Sequence, residues 1–236
     1  MSTDVLAVGA HPDDVELGCG GTLASLASAG YGVAIVHLTA GEAGTRGTAE
    51  TRRSEAEAAA AVIGASLHWL DFGDGGLRRG DREEDELIAL LRQLTPQVVL
   101  SPPPRDRHPD HERAHALTKD ACFYAGVGAR GQGRPHRPQA VWSYMIHHPF
   151  EPRFIVDVTR AWDAKCRAMD AYASQLYNSK KPVEGPPTRV SSPGFRASVE
   201  GRARHYGELV GAEFGEPFFG EIPPGVTASS LLGGPA

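Results

Sequence analysis

Short apolar runs alternate with amphipathic stretches through the first half of the chain. Residues 5–10 (VLAVGA) and 33–38 (VAIVHL) are continuously apolar apart from one histidine, the pattern of strands buried on both faces. Residues 67–70 and 98–100 predict two more short strands, the second stopped by Pro102-Pro103-Pro104. Between them lie helical patterns. Residues 22–29 form a small-residue helix behind Gly20-Gly21, stopped by Gly30. Residues 49–63 are rich in alanine and glutamate and are closed by Gly64. Residues 83–94 carry Leu87, Leu90, Leu91 and Leu94 at helical spacing, and residues 110–124 follow Pro109. The second half is less regular. Residues 140–146 and 154–158 predict strands, and 161–176 and 197–210 predict helices. Residues 126–138 and 178–194 are long Gly-, Pro- and Arg-rich loops, of the kind that serve as lids, interface arms or disordered segments.

Strand–helix alternation predicts an α/β fold, Rossmann-like, with a mostly parallel sheet and helices on both faces. One domain over residues 1–224 is expected, with 225–236 as a flexible tail; no internal repeat or linker divides it. In such sheets ligands bind beyond the carboxyl ends of the strands, where strand order reverses. In a 3-2-1-4 order the first and fourth strands are neighbours at that reversal. The chain places a polar cluster after each: His11, Asp13 and Asp14 after the first, and Asp106, Arg107, His108, Asp110 and His111 after the fourth. Residues about 100 apart in sequence thus face one another across one crevice.

Composition narrows the function. The formal charge of −5 gives no basic excess for a nucleic-acid partner, and no apolar run reaches the roughly 20 residues that span a bilayer. The N-terminus enters the first strand without a signal-peptide pattern. Cys19, Cys122 and Cys166 are odd in number and widely spaced, which argues against a disulfide framework or a cysteine-rich zinc site and for a cytoplasmic setting. The first strand–helix turn has H-P-D-D where a dinucleotide cradle has G-x-G-x-x-G, and its carboxylates would repel a pyrophosphate.

Two imidazoles and a carboxylate make a metal site with open positions. His11, Asp14 and His111 supply that set, and Asp13 beside it can take a proton from a metal-bound water, whose pKa falls to roughly 7 on zinc. His108 can stabilise an oxyanion and protonate a leaving amine, oriented by Asp106 or Asp110. Plainer readings stand alongside. Asp13 or Asp14 can cap the first helix, and His108 and Asp110 can be loop and cap residues. His37 and His68 read as core or edge residues, and His147-His148 as pocket-lining or solvated. Two rival motifs occur in the letters. His111-Glu112-Arg113-Ala114-His115 is a literal H-E-x-x-H, but Pro109 puts His111 in the first helical turn and H-P-D-D would be left without a role. His11-Pro12-Asp13 is the H-x-D of an iron facial triad, which belongs on jelly rolls rather than on this alternating pattern.

Several stretches resemble one family. Ala10-His11-Pro12-Asp13-Asp14-Val15-Glu16, Thr39-Ala40-Gly41-Glu42-Ala43-Gly44, Glu50-Thr51-Arg52-Arg53-Ser54-Glu55 and His108-Pro109-Asp110-His111 are similar, in order, to the signatures of the LmbE/PIG-L-like zinc N-deacetylases. Residues 202–219 resemble that family's C-terminal helix and ending. Residues 121–126, 154–158 and 172–178 resemble its bacillithiol-biosynthesis subgroup, which deacetylates N-acetylglucosaminyl malate. The resemblance implies His11, Asp14 and His111 as ligands of Zn2+, a set that Fe2+ can share, with Asp13 as base and His108 as oxyanion stabiliser. It implies Arg52 as a substrate contact, with Arg46 and Arg107 serving likewise. His115 is then helical packing, and Phe195 stands where some members have a tyrosine. It further implies a small amino-sugar substrate, no nucleic-acid or membrane partner, and a homo-oligomer, trimer or hexamer. Broader chitobiose-like deacetylation, thiol-conjugate cleavage, and a metal-dependent binding protein without turnover are the alternatives.

Overall fold

A computed structural model describes residues 3–177 and 185–226. Seven strands form one sheet in the order β3-β2-β1-β4-β5-β7-β6. They are β1 (Val5–Gly9), β2 (Val33–His37), β3 (Ser66–Trp69), β4 (Val98–Ser101), β5 (Ala140–Tyr144), β6 (Phe154–Asp157) and β7 (Gly215–Phe219). The first five in spatial order are parallel, and β7 runs antiparallel to both β5 and β6. The helices are α1 (Asp14–Ser28), α2 (Ala49–Ile63), α3 (Asp81–Leu94), α4 (Pro109–Ala125), α5 (Trp162–Ala171) and α6 (Pro193–Glu208). Among them is none long and apolar enough to cross a membrane.

The parallel register explains why the early strands read as unbroken apolar runs. Ala7 lies beside Ile35 and Leu100, and these point to one face, where they join Leu17, Leu23, Ala56, Ile63, Tyr144 and Phe218. Leu6, Val8, Ala34, Val36 and Val99 point to the other, against Leu87, Leu91, Leu117 and Ala121 of α3 and α4. With both faces covered, the alternation carries no polar phase.

Four elements depart from expectation. The first helix begins at Asp14 rather than residue 22, because a kink at Cys19 (φ −140°, ψ 18°) joins a short leading segment to the predicted one across Gly18 and Gly20. Residues 172–176 turn rather than continue α5, and α6 starts earlier, at Pro193, behind Ser192, whose hydroxyl accepts from the Phe195 amide. Strand β7 is the element that the sequence reading omits. Its Glu216-Pro217 pair argues against a strand, yet β5 pairs only with Phe218 and Phe219, so Pro217 sits where one side of β7 has no ladder.

The loop after α4 is fastened. Buried Arg92 donates to the carbonyls of Tyr124, Ala125, Val127 and Gln132, gathering both ends of the segment. The second long loop is described from residue 185 onward; residues 178–184, like most of the expected tail (227–236), lie outside the described residues.

Candidate metal centre

The loops after β1 and β4 meet as the strand order requires. His11, Asp13, Asp14, Arg52, Arg107, His108 and His111 line one cavity of about 280 Å3, together with Leu17, Asp74, His147, Gln175 and Val190. Ring nitrogens of His11, His108 and His111 come within 4.8 Å of one another.

His111 sits in the first turn of α4. Its Nδ1 lies 2.7 Å from Asp106 Oδ2, so this nitrogen carries the proton and donates it. The lone pair at Nε2 then faces Asp14 Oδ1 at 3.1 Å. Two acceptors pointed at each other inside a protein require a cation between them. Asp14 Oδ2 accepts from the His11 amide (2.9 Å) and lies 3.5 Å from His11 Nδ1, which brings the second imidazole to the same carboxylate, while His11 Nε2 faces Asp74 and Asp110. Without a metal ion the demand appears as protonation. Burial would lower the His111 pKa, but the Asp14 charge and the hydrogen bonds to Asp106 and Asp14 push it to about 9. Asp14, whose burial would raise it, is held well below the ordinary carboxylate range by His111 and His11. A divalent cation satisfies the same deficit, so the donor set fits a metal.

Asp13 is not a cap. It occupies the N-cap position of α1 at φ +102°, yet its side chain makes no capping hydrogen bond. A non-glycine residue in left-handed backbone costs about 1–3 kcal/mol and persists where its surroundings impose it. Here Arg52 imposes it. The buried guanidinium donates to the Pro12 carbonyl and lies 3.5 Å from Asp13 Oδ2. Gly41 (φ +68°) makes room, since a Cβ there would lie 2.6 Å from Arg52 Nη1. Burial raises the Asp13 pKa to about 6, against the lowering effect of Arg52. A carboxyl whose charge is this finely balanced suits proton transfer.

His108 is the cap residue that the plainer reading allowed, and its ring also lines the cavity. As N-cap of α4, its Nδ1 accepts from the Asp110 amide at 3.2 Å. That bond places the neutral ring's proton on Nε2, making it a donor, and burial keeps the ring below its ordinary pKa. The orienting carboxylates are distributed differently from expectation. Asp106 serves His111, and it also accepts from the amides of Arg107 (2.8 Å) and His148 (2.9 Å), locking the loops after β4 and β5 together. The Asp110 carboxylate faces His11, 3.5 Å from Nε2.

Arg46 is placed apart from the cavity. Its guanidinium donates to the carbonyls of Pro186 (2.8 Å) and Gly185 (3.0 Å), fastening the second long loop, so it anchors that loop in place of the expected substrate contact. Arg107 lines the cavity, and its side chain makes no ion pair among the described residues.

Asp74 is a residue that sequence reasoning misses. It lies 3.0 Å from His11 Nε2, with its amide held by Glu42 Oε1 (2.7 Å). A signal for it exists: Asp71-Phe72-Gly73-Asp74-Gly75-Gly76 is an acidic, glycine-rich loop at the carboxyl end of β3, on the same sheet edge. His147 stacks on His111 (5.8 Å, 14°) and so lines the cavity, with Phe195 behind it at 5.8 Å. His115 is excluded from the cluster; its Nδ1 lies 3.1 Å from both the Pro102 carbonyl and Ser143 Oγ. His37 is fully buried and held neutral, its pKa pushed down to about 3 by burial.

Fold and site together define a Rossmann-like α/β protein with a buried histidine–aspartate cluster at the β1/β4 crevice. The chain belongs to the PIG-L family, whose profile (GlcNAc-PI de-N-acetylase) matches residues 6–122. It is 32% identical over 189 residues to a diacetylchitobiose deacetylase of Thermococcus kodakarensis, covering 73% of this chain and 70% of that one. It is 30% identical over 192 residues to a 4-oxalmesaconate hydratase of Pseudomonas putida, covering 72% and 73%. Among solved structures, the conserved protein TT1542 of Thermus thermophilus superposes with a TM-score of 0.87 at 35% identity, covering 96% of this chain and 98% of that one.

Proposed function

We propose that the protein is a zinc-dependent hydrolase that removes the N-acetyl group from an amino-sugar glycoside, with N-acetylglucosaminyl malate as its preferred substrate. One observation carries the reading: a carboxylate and an imidazole lone pair opposed at 3.1 Å, with a second carboxylate on the adjacent residue that is paired with Arg52 and makes no capping bond. The Thermococcus relative's deacetylase activity supports the reaction class, and the resemblance to the bacillithiol subgroup supports the substrate.

His11, Asp14 and His111 would hold the ion. Bound there, zinc supplies Lewis acidity toward the amide carbonyl and acidifies water to a pKa of roughly 7. Asp13 takes the proton of the attacking water as its oxygen bonds to the carbonyl carbon. His108, a donor through Nε2, stabilises the negative charge that develops on the carbonyl oxygen. The carbon–nitrogen bond then breaks as the nitrogen takes the proton of His108 Nε2, and the proton held by Asp13 restores His108, giving acetate and a free amine. Asp106 keeps His111 in the tautomer that leaves Nε2 available.

The experiment is acetate release from N-acetylglucosaminyl malate by the Zn2+-supplemented protein, with and without a chelator. Zinc-dependent acetate release is expected. Its absence, with water addition to 4-oxalmesaconate instead, would favour the chemistry of the Pseudomonas relative.

Arg107 has no partner to satisfy it among the described residues, so an anionic aglycone is its natural counterion. Arg107→Ala is expected to raise KM for the malate glycoside about tenfold and to leave KM for a neutral N-acetylglucosaminide within about twofold, a loss of about 1.4 kcal/mol for one charge-assisted contact. Equal effects on the two substrates would remove the malate contact.

A further inference from the structure

A buried ion pair far from the cavity in sequence occupies the kink of α1. Helix α1 carries Asp14 on its first turn, breaks at Cys19, and resumes toward Ser28. Such a break leaves orphan carbonyls at the end of the leading segment and orphan amides at the start of the next. Both sets are answered by one pair of side chains. Glu216, from β7, accepts from the amides of Gly21 (3.0 Å) and Thr22 (2.7 Å) and from Thr22 Oγ (2.6 Å). Lys165, from α5, lies 2.5 Å from Glu216 Oε1 and donates to the Leu17 carbonyl at 3.0 Å. Both residues are 2% exposed.

The pair is continuous with the site. The Leu17 carbonyl that Lys165 holds belongs to a residue whose amide donates to the Asp13 carbonyl at 2.9 Å. Leu17 also lines the cavity. On the other side of the leading segment, a Cβ on Gly18 would lie 2.1 Å from the Tyr144 ring, whose hydroxyl donates to the Val8 carbonyl of β1 at 2.6 Å. The leading segment is therefore clamped between β1, through Tyr144, and the ion pair. The kink frees its direction from that of the rest of α1, and the clamp sets that direction. Two buried charges serve no purpose in a helix that could run straight; replacing such a pair with apolar groups is often neutral for stability.

We propose that Lys165 and Glu216 are positioning residues for the metal centre: the pair plugs the α1 kink and so aims Asp13 and Asp14 at His111. The inference rests on the metal-hydrolase reading above.

The test compares wild type with Lys165→Met/Glu216→Gln, in which both charges are removed together so that neither is left unpaired. Leu87→Ala, on the opposite face of the sheet, serves as a destabilised control. Thermal unfolding is measured, then Zn2+ affinity by chelator competition on the folded protein, then kcat and KM for acetate release. The double variant is expected to bind Zn2+ at least about tenfold more weakly and to lose kcat with KM nearly unchanged, the order of effect seen when support of a metal ligand is lost. Leu87→Ala should lose stability and keep Zn2+ affinity. If the double variant does not fold, Thr22→Val, which removes one donor to Glu216, should weaken Zn2+ binding in the same direction and to a smaller extent. Wild-type affinity in the folded variants, with wild type binding Zn2+, overturns the positioning role alone. Failure of wild type to bind Zn2+ overturns the metal reading beneath it.

Discussion

Asp13→Asn is expected to leave the protein folded and metal-loaded while lowering kcat for acetate release by about 10²–10⁴-fold, the usual worth of a general base. The fold should survive because Asp13 makes no capping bond that asparagine would forfeit. Asparagine also tolerates the left-handed backbone imposed at this position (φ +102°) better than most residues. The cation should remain because the two acceptors that demand it, Asp14 Oδ1 and His111 Nε2, are untouched. What disappears is the carboxylate that can receive water's proton, 3.5 Å from Arg52. Elemental analysis for bound zinc, circular dichroism and the acetate assay check the three parts separately. Full turnover would remove Asp13 from the chemistry, and loss of zinc would place it among the ligands.

What the sequence discloses here depends on how local the cause is. The parallel half of the sheet is legible because strands buried on both faces leave unbroken runs such as VLAVG and VAIVH. Helix α2 runs from Ala49 to Ile63 as expected, since its Thr48 cap and its Gly64 stop (φ +84°) are both properties of adjacent residues. Strand β7 is not legible. It forms because β6, far back in the chain, offers it an antiparallel partner, and nothing in Gly215-Glu216-Pro217 announces that. The same distinction divides the site. His11, Asp14 and His111 follow from strand ends brought together by the 3-2-1-4 order. Asp106 as the support of His111, Arg52 as the support of the Asp13 turn, and Arg46 as a loop anchor depend on side-chain directions that spacing along the chain does not contain. A lysine and a glutamate 51 residues apart give no hint of being each other's counterion in the kink of α1.

His111→Ala and His115→Ala should part company, although both residues lie on α4 one turn apart and spell an H-E-x-x-H string. One turn is about 5.4 Å of helix axis, enough to leave the crevice. His111, at the strand ends, faces Asp14; His115 lies lower, between Ser101 and Ser143, with the Pro102 carbonyl at 3.1 Å. Removing His111 deletes a nitrogen donor and leaves Asp106 and Asp14 facing a gap, so bound zinc should fall to background and activity with it. Removing His115 leaves the cluster whole. Ser101 and Ser143 still bond each other at 3.1 Å, so the loss should be about 1 kcal/mol of stability, with zinc stoichiometry unchanged. Zinc content of the two purified variants, measured beside wild type, decides the matter. Zinc retained by His111→Ala and lost by His115→Ala would move the metal down the helix to the protease-like arrangement and leave the H-P-D-D turn without an ion to serve.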